Sequence, residues 1–242
     1  MQVVDIHSHM LYGVDDGSKT IEESLEMLGI SYKEGILNVI LTPHYEKNNN
    51  LYDLNKLLSR FNELKQKISS LYPDMNLYLG NEILYEDGIL EDLKDGKITT
   101  INGTRYILVE YLPNVSYEDL YKSFRTLIQA RFFPILAHVE RYRCLYKKMD
   151  RIDEIKELGV YLQMNGQSIL GGIFSEHSRW CHKLLKEEQI SFLASDAHNS
   201  TTRSPKLLKS IEWMKKNLSL SYCSKVLWDN PQMMLDDKYL EE

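Results

Sequence analysis

Seven apolar runs of strand length, separated by longer segments of helical period, constrain the fold of this chain more than any other feature. They are VVDIH (3–7), NVILTPH (38–44), NLYLGNE (76–82), RYILVEY (105–111), FPILAH (133–138), GVYLQMN (159–165) and ISFLASD (190–196). Strands that alternate with helices pair in parallel, so an α/β architecture of βα units is expected. The helices carry their own punctuation. Thr20-x-x-Glu23 is a capping box, Ile21, Leu25, Leu28 and Tyr32 follow at helical spacing, and Gly35 closes the element. Leu54, Leu57, Leu58, Phe61, Leu64 and Ile68 form a second stripe ended by YPD, and Leu207, Leu208 and Ile211 mark a late helix. No repeat or linker divides the chain, which predicts one domain over 1–242, with KNNN (47–50) as a mobile loop and DDKYLEE (236–242) as a solvated tail.

Six of the seven runs end in side chains able to bind a metal: His7 with His9, then His44, Glu82, Glu110, His138, and Asp196 with His198. His7 and His9 share one strand face because side chains alternate. Asp16 joins them from GVDDGS, the loop leaving the first strand. Any one of these alone is more simply a surface or hydrogen-bonded residue. His177 and His182, on a helix and its connection, read that way, and Met164 and Trp180 read as packing. Repetition over six strands is different. In parallel α/β barrels the strand C-termini build the active site, and several carboxylates aimed at one point repel each other without cations.

Nitrogen and oxygen donors without thiolates suit Mn²⁺, Fe²⁺ or Zn²⁺. Nine ligands exceed the needs of one ion, so two or three ions sharing a bridging carboxylate are expected, with Glu82 as the bridge. Such clusters suit hydrolysis of phosphate esters. That task also needs cations on the phosphoryl oxygens. Arg141 in AHVERYR and Arg203 in SDAHNSTTRSP stand beside proposed ligands, and Arg143 is the competitor of Arg141.

Composition removes other classes. The formal net charge is -6, from 29 basic and 35 acidic residues, with no basic block, which speaks against nucleic acid as a partner. There is no leader-like start and no apolar run near the roughly 18 residues that span a bilayer, so a cytoplasmic protein without membrane insertion is expected. Cys144, Cys181 and Cys223 are odd in number and far apart, which argues against a disulfide framework. A cysteine-dependent phosphatase needs arginine six positions after its cysteine; those positions hold Asp150, Glu187 and Asp229. No phosphate-binding G-x-x-x-x-G-K-[ST] loop occurs.

The motifs DIHSH (5–9), DDGS (15–18), TPH (42–44), GNE (80–82), VEY (109–111), AHVERY (137–142), SDAHN (195–199) and DNP (229–231) together resemble the PHP family, named for polymerases and histidinol phosphatases. Within it, DIHSHMLYGVDDGSKTIEESLEML and AHVERY are most similar to the manganese-dependent protein-tyrosine phosphatases encoded with bacterial capsule and exopolysaccharide genes. The resemblance implies a distorted (β/α)7 TIM-like barrel, the PHP fold, with three metals, Mn²⁺ foremost, on His7, His9, Asp16, His44, Glu82, Glu110, His138, Asp196 and His198. It further implies that Arg141 and Arg203 contact the phosphoryl group and that a metal-activated hydroxide attacks it. The implied substrate is the tyrosine-rich tail of a capsule-regulating bacterial tyrosine kinase. Three alternatives share the ligands or the fold: a histidinol-phosphate phosphatase, a PHP-type nuclease, disfavoured by the acidic balance, and a non-catalytic binding module stabilised by its metals.

Overall fold

Hydrogen bonding between neighbouring strand runs organises the molecule. The computed structural model describes residues 2–47, 52–172 and 175–240. In chain order its strands and α-helices are β1 (Val4–Asp5), α1 (Ile21–Lys33), β2 (Asn38–Leu41), β3 (His44–Tyr45), α2 (Leu54–Leu71), β4 (Asn76–Leu79), β5 (Glu82–Leu84), α3 (Ile89–Lys94), β6 (Tyr106–Glu110), α4 (Tyr117–Gln129), β7 (Phe133–Leu136), α5 (Met149–Glu157), β8 (Tyr161–Asn165), α6 (Glu176–Lys186), β9 (Phe192–Ala194), α7 (Leu208–Asn217), α8 (Leu220–Ser224) and α9 (Asn230–Leu235). All strand pairs are parallel, in the orders β1-β2-β4 and β3-β5-β6-β7-β8-β9.

Two of the expected runs are broken. The run 38–44 divides at Thr42 and Pro43 into β2 and β3, because proline has no N–H to donate to a ladder. The run 76–82 divides beside it into β4 and β5, where Asn81 Nδ2 donates to the Pro43 carbonyl at 2.8 Å. Glu82 therefore begins a short strand rather than ending a long one. The circuit still closes: Thr42 N–H donates to Ser8 O at 2.8 Å, Asp196 N–H to His7 O at 2.9 Å and His9 N–H to Ala197 O at 2.8 Å. The first run is thus tied to the second on one side and to the seventh on the other, and the parallel strands curl into a barrel-like ring.

A smaller apolar cluster, including Val4, Ile6, Ile40, Tyr106, Leu108, Ile135, Phe192 and Ala194, fills the inside of the ring, and Met234 of α9 belongs to it. The larger cluster lies between strands and helices, joining Val39, Leu41, Val109 and Leu162 to Leu28, Leu64, Phe124 and Ile155. α1 begins as its sequence predicts, with Thr20 Oγ1 accepting from Glu23 N–H at 3.3 Å and Gly35 at φ +77° beyond its end. Of the second stripe, Leu57, Leu64 and Ile68 are buried while Leu58 is exposed. The tail differs from expectation. Asp237 accepts from Arg105 N–H at 2.8 Å and from its Nε at 3.0 Å, and the Tyr106 hydroxyl donates to Lys238 O at 2.6 Å. An arginine just before β6 gives Asp237 a partner, so the described part of the tail, 236–240, is held at that point; residues 241–242 lie outside the described residues. Of KNNN, only Lys47 lies within the described residues, and its Nζ donates to Asp87 O at 3.0 Å. Among the described residues, no helix is long and apolar enough to cross a membrane.

Thr42 Oγ1 accepts the buried Ser8 N–H at 3.1 Å, within the segment that ends in His9. Thr42→Val orphans that donor and is expected to cost about 1–3 kcal/mol. The loss should appear as a lower thermal midpoint that Thr42→Ser, which keeps the hydroxyl, largely avoids.

Candidate metal centre

The ring brings all the proposed ligands to one end. His44 stands opposite Glu82 in the β3–β5 register, and Leu84 opposite Glu110 in the β5–β6 register. His7 and His9 arrive on the first run, His138 follows β7, and Asp196 and His198 follow β9. His138 and Asp196 both adopt left-handed backbone, with φ of +35° and +52°. For residues other than glycine this costs about 1 kcal/mol or more, a strain characteristic of functional sites.

Eight of the nine residues fall into three overlapping clusters: His7, His9, Glu82 and Asp196; His44, Glu82 and Glu110; and His9, Asp16, His44 and His198. His138 completes the set, its Nε2 2.9 Å from Glu82 Oε1 and 3.5 Å from Glu110 Oε2. Glu82, 1% exposed, belongs to two clusters, the place a bridging carboxylate would take. The tightest group tests whether the residues fit a cation. His7 Nε2 and His9 Nε2 lie 3.2 Å apart, Glu82 Oε2 is 3.1 and 3.0 Å from them, and Asp196 Oδ1 is 3.5 Å from both. Ligands held at about 2.0–2.2 Å from one divalent ion sit roughly 3 Å from each other. The donor set fits. In the second group, His44 Nδ1 is buried without a hydrogen-bond partner although Glu110 Oε1 is 2.9 Å away; His138 Nδ1 is likewise buried without a partner. Asp16 is more open, at 65% exposure, with its Oδ1 3.5 Å from both His44 Nε2 and His198 Nε2.

Protonation follows from this crowding. Burial disfavours the charged form of His138, yet hydrogen bonds to Glu110 and Glu82 outweigh it and raise its pKa to about 9. His9 is raised against the same burial penalty by Asp15 and Glu82. Glu82 is held low, against burial, by the surrounding histidines. Burial and the neighbouring His9 push His198 down to about 4.

Arg141 and Arg203 both reach Asp196: their Nη2 atoms lie 2.7 and 3.0 Å from Asp196 Oδ2, and each side chain is 41% exposed. Two guanidinium groups therefore stand at the boundary between the buried donors and solvent. Arg143 is exposed, and its backbone N–H donates to Pro113 O. A cleft of about 500 Å³, lined by Gly13, Val14, Asp16, His44, Glu46 and Lys56 among others, opens onto the same end. His182 lies apart, its Nε2 2.9 Å from Ile169 O and its ring stacked on Trp213. Met164 and Trp180 are buried in the outer core.

Three residues of the site with buried side chains escaped the sequence reading. Asp15, not only Asp16, is engaged: its Oδ2 accepts from His9 Nδ1 at 2.7 Å and from His44 N–H at 3.1 Å, and its Oδ1 accepts from Gly17 N–H at 2.9 Å. The Asp-x-Gly spacing of an Asx turn was the available signal. A Cβ at Gly17 would sit 2.0 Å from His9 O, so glycine is needed for this close approach. Gln163 and Asn165 on β8 contact His7, His138 and Asp196, signalled only by two polar side chains on the inner face of an apolar strand.

A family model described as "Capsular polysaccharide synthesis, CpsB/CapC" matches residues 3–236. The chain belongs to the CpsB/CapC family. It is 30% identical over 243 residues to tyrosine-protein phosphatase CpsB of Streptococcus agalactiae, covering 98% of this chain and 100% of that protein. Its identity to tyrosine-protein phosphatase CpsB of Streptococcus pneumoniae is 28%, with the same coverage. Among solved structures, one from a set described as YwqE from Bacillus subtilis and CpsB from Streptococcus pneumoniae, unique metal-dependent tyrosine phosphatases, matches with a TM-score of 0.90. The match covers 98% of this chain and 96% of that one at 24% identity, and what it shows is a common CpsB/CapC fold. The capsule-associated group that DIHSH and AHVERY resemble is thus the family to which residues 3–236 align.

In the metal-free CpsB/CapC chain, His138 has a folded pKa of about 9 against 6.5 for an ordinary histidine. Its raised pKa contributes stability that is complete below pH 6.5 and is lost as pH rises through about 9. Calorimetric melting of metal-free protein should therefore fall over that window, by an increment that His138→Asn lacks. Metal added near neutral pH should displace protons from His138 and His9, acidifying a weakly buffered solution.

Proposed function

We propose that this chain is a metal-dependent protein-tyrosine phosphatase acting in capsular polysaccharide synthesis, with its site at the C-terminal end of the ring and the whole chain, 1–242, working as one unit. Three divalent ions, Mn²⁺ foremost and Fe²⁺ or Zn²⁺ as alternatives, would be held by His7, His9, Asp16, His44, Glu82, Glu110, His138, Asp196 and His198. The observation that carries this reading is the joining of three donor clusters through shared His9, Glu82 and His44, with two arginines at their solvent edge.

When bound, the ions supply activation of water and neutralisation of phosphoryl charge. The protein supplies the rest. Arg141 and Arg203 present planar donors to the phosphoryl oxygens, fixing the group against the buried end of the site. Asp196, accepting from both, holds the two guanidinium groups on one side. Asp15 orients His9 through Nδ1 and leaves Nε2 to face the tightest donor group. Tyrosine's phenol, with an ordinary pKa of about 10, is a better leaving group than an alkanol, which suits cations concentrated on the phosphoryl side. An open cleft beside His44, with Glu46 and Lys56 on its rim, suits an extended peptide. The partner consistent with this is a phosphorylated tyrosine kinase of the same synthesis system, met in the cytoplasm through its tyrosine-rich tail.

Phosphate release from a phosphotyrosine peptide and from histidinol phosphate, measured with Mn²⁺ and again with a chelator, tests the reading. Chelator-sensitive release from the peptide, abolished in His138→Ala, is expected. Arg141→Ala and Arg203→Ala should each lower kcat/KM about 10²–10³-fold, as removal of a charge-stabilising donor does. Preference for histidinol phosphate would replace the substrate assignment, and no release by metal-loaded protein would replace the enzyme with a binding module.

A further inference from the structure

β8 is the one strand of the ring whose run supplies none of the nine donors, yet it lies between β7, which leads to His138, and β9, which leads to Asp196. Its inward residues Gln163 and Asn165 are 0% and 4% exposed. Buried amides destabilise unless their polar atoms are matched. Here they are matched by the metal centre. Gln163 Oε1 is 2.7 Å from the His138 backbone nitrogen and 3.1 Å from His7 Nδ1. Gln163 Nε2 donates to Asn165 Oδ1 at 2.9 Å, and Asn165 Nδ2 donates to Asp196 Oδ2 at 2.7 Å.

Only one assignment of donors satisfies this chain. The Asp196 carboxylate, facing Arg141 and Arg203, can only accept, so Asn165 must turn its NH2 towards it and its oxygen towards Gln163. Gln163 must then turn its NH2 to Asn165 and its oxygen to His7. The His138 backbone N–H, which can only donate, demands the same orientation from the opposite end. In the neutral ring that a metal requires, His7 Nδ1 must therefore carry the proton, leaving Nε2, which faces His9 Nε2 and Glu82 Oε2, as the atom free to bind.

We propose that Gln163 and Asn165 form a positioning relay, in which the charge of Asp196 sets the tautomer of His7 through two amides and locks both ligands for one ion. This rests on the ligand assignment above. Neither amide touches the ion; their effect passes through His7 and Asp196, and breaking such an outer link costs about 10–100-fold in metal affinity.

Competition for Mn²⁺ against a chelator, compared among wild type, Gln163→Met, Asn165→Ala and Asn165→Asp, separates the relay from simple space filling. Asn165→Asp keeps the shape but sets an acceptor against Asp196, so it should bind Mn²⁺ more weakly than Asn165→Ala; a space-filling role gives the reverse order. Gln163→Met should bind about 10–100-fold more weakly than wild type. With Zn²⁺ and ¹⁵N-histidine, the sheltered His7 Nδ1–H signal of wild type should be lost to solvent exchange in Gln163→Met. Wild-type affinity with a sheltered proton in Gln163→Met, or tighter binding by Asn165→Asp than by Asn165→Ala, overturns the relay. Should Gln163→Met fail to fold, the Asn165 pair decides alone. A wild-type chain that takes up no Mn²⁺ overturns the ligand assignment and the relay with it.

Discussion

Lone pairs brought together with too few protons between them are the constraint on which this structure turns. Four carboxylates and five imidazoles meet at one end of the ring, and in the tightest group two ring nitrogens and a carboxylate oxygen lie within 3.2 Å of one another. Without cations, protons must take their place, which is why burial loses to neighbouring carboxylates at His138 and His9. Left-handed backbone at His138 and Asp196 belongs to the same arrangement, since the fold accepts local strain to aim these groups inward.

Much of this was legible in the sequence because two periodicities coincide with chemistry. Strand-length apolar runs pointed to the parallel ring, and the side chains ending six of the seven runs are the ones the ring brings together, since a parallel barrel gathers strand ends whatever their separation along the chain. Arg141 and Arg143, both exposed, part in three dimensions: Arg141 Nη2 reaches Asp196, whereas the Arg143 backbone N–H donates to Pro113 O. Asp15 and Asp16 are neighbours of identical type; which one turns inward depends on the Asx turn and the close approach of Gly17 to His9.

What stayed hidden depends on contacts without a local signature. Amides such as Gln163 and Asn165 have no characteristic spacing, and their role exists only through partners 25 to 156 positions away. The anchoring of Asp237 and Lys238 was missed because a polar-rich stretch resembles a solvated end, while the deciding partner, Arg105, lies 132 positions before Asp237. The splitting of two runs followed from Pro43, whose missing N–H was visible but whose effect on the adjacent run was not.

That splitting has a mechanical meaning. β2 and β4 are bonded into one sheet with β1, whereas β3 and β5, which carry His44 and Glu82, belong to the other. The gap is spanned by backbone and side chain together: Glu82 N–H donates to Thr42 O at 3.3 Å and Pro43 O at 3.2 Å, while Asn81 donates through Nδ2 to Pro43 O and accepts the Thr99 N–H at Oδ1. The base of the barrel and the rim that carries His44 and Glu82 are thus two ladders offset at Pro43 and stitched by the Glu82 N–H and the Asn81 amide. Because the offset starts a new strand at each of these two residues, their side chains are set by the short β3–β5 pairing and not by the register of the longer β2–β4 ladder.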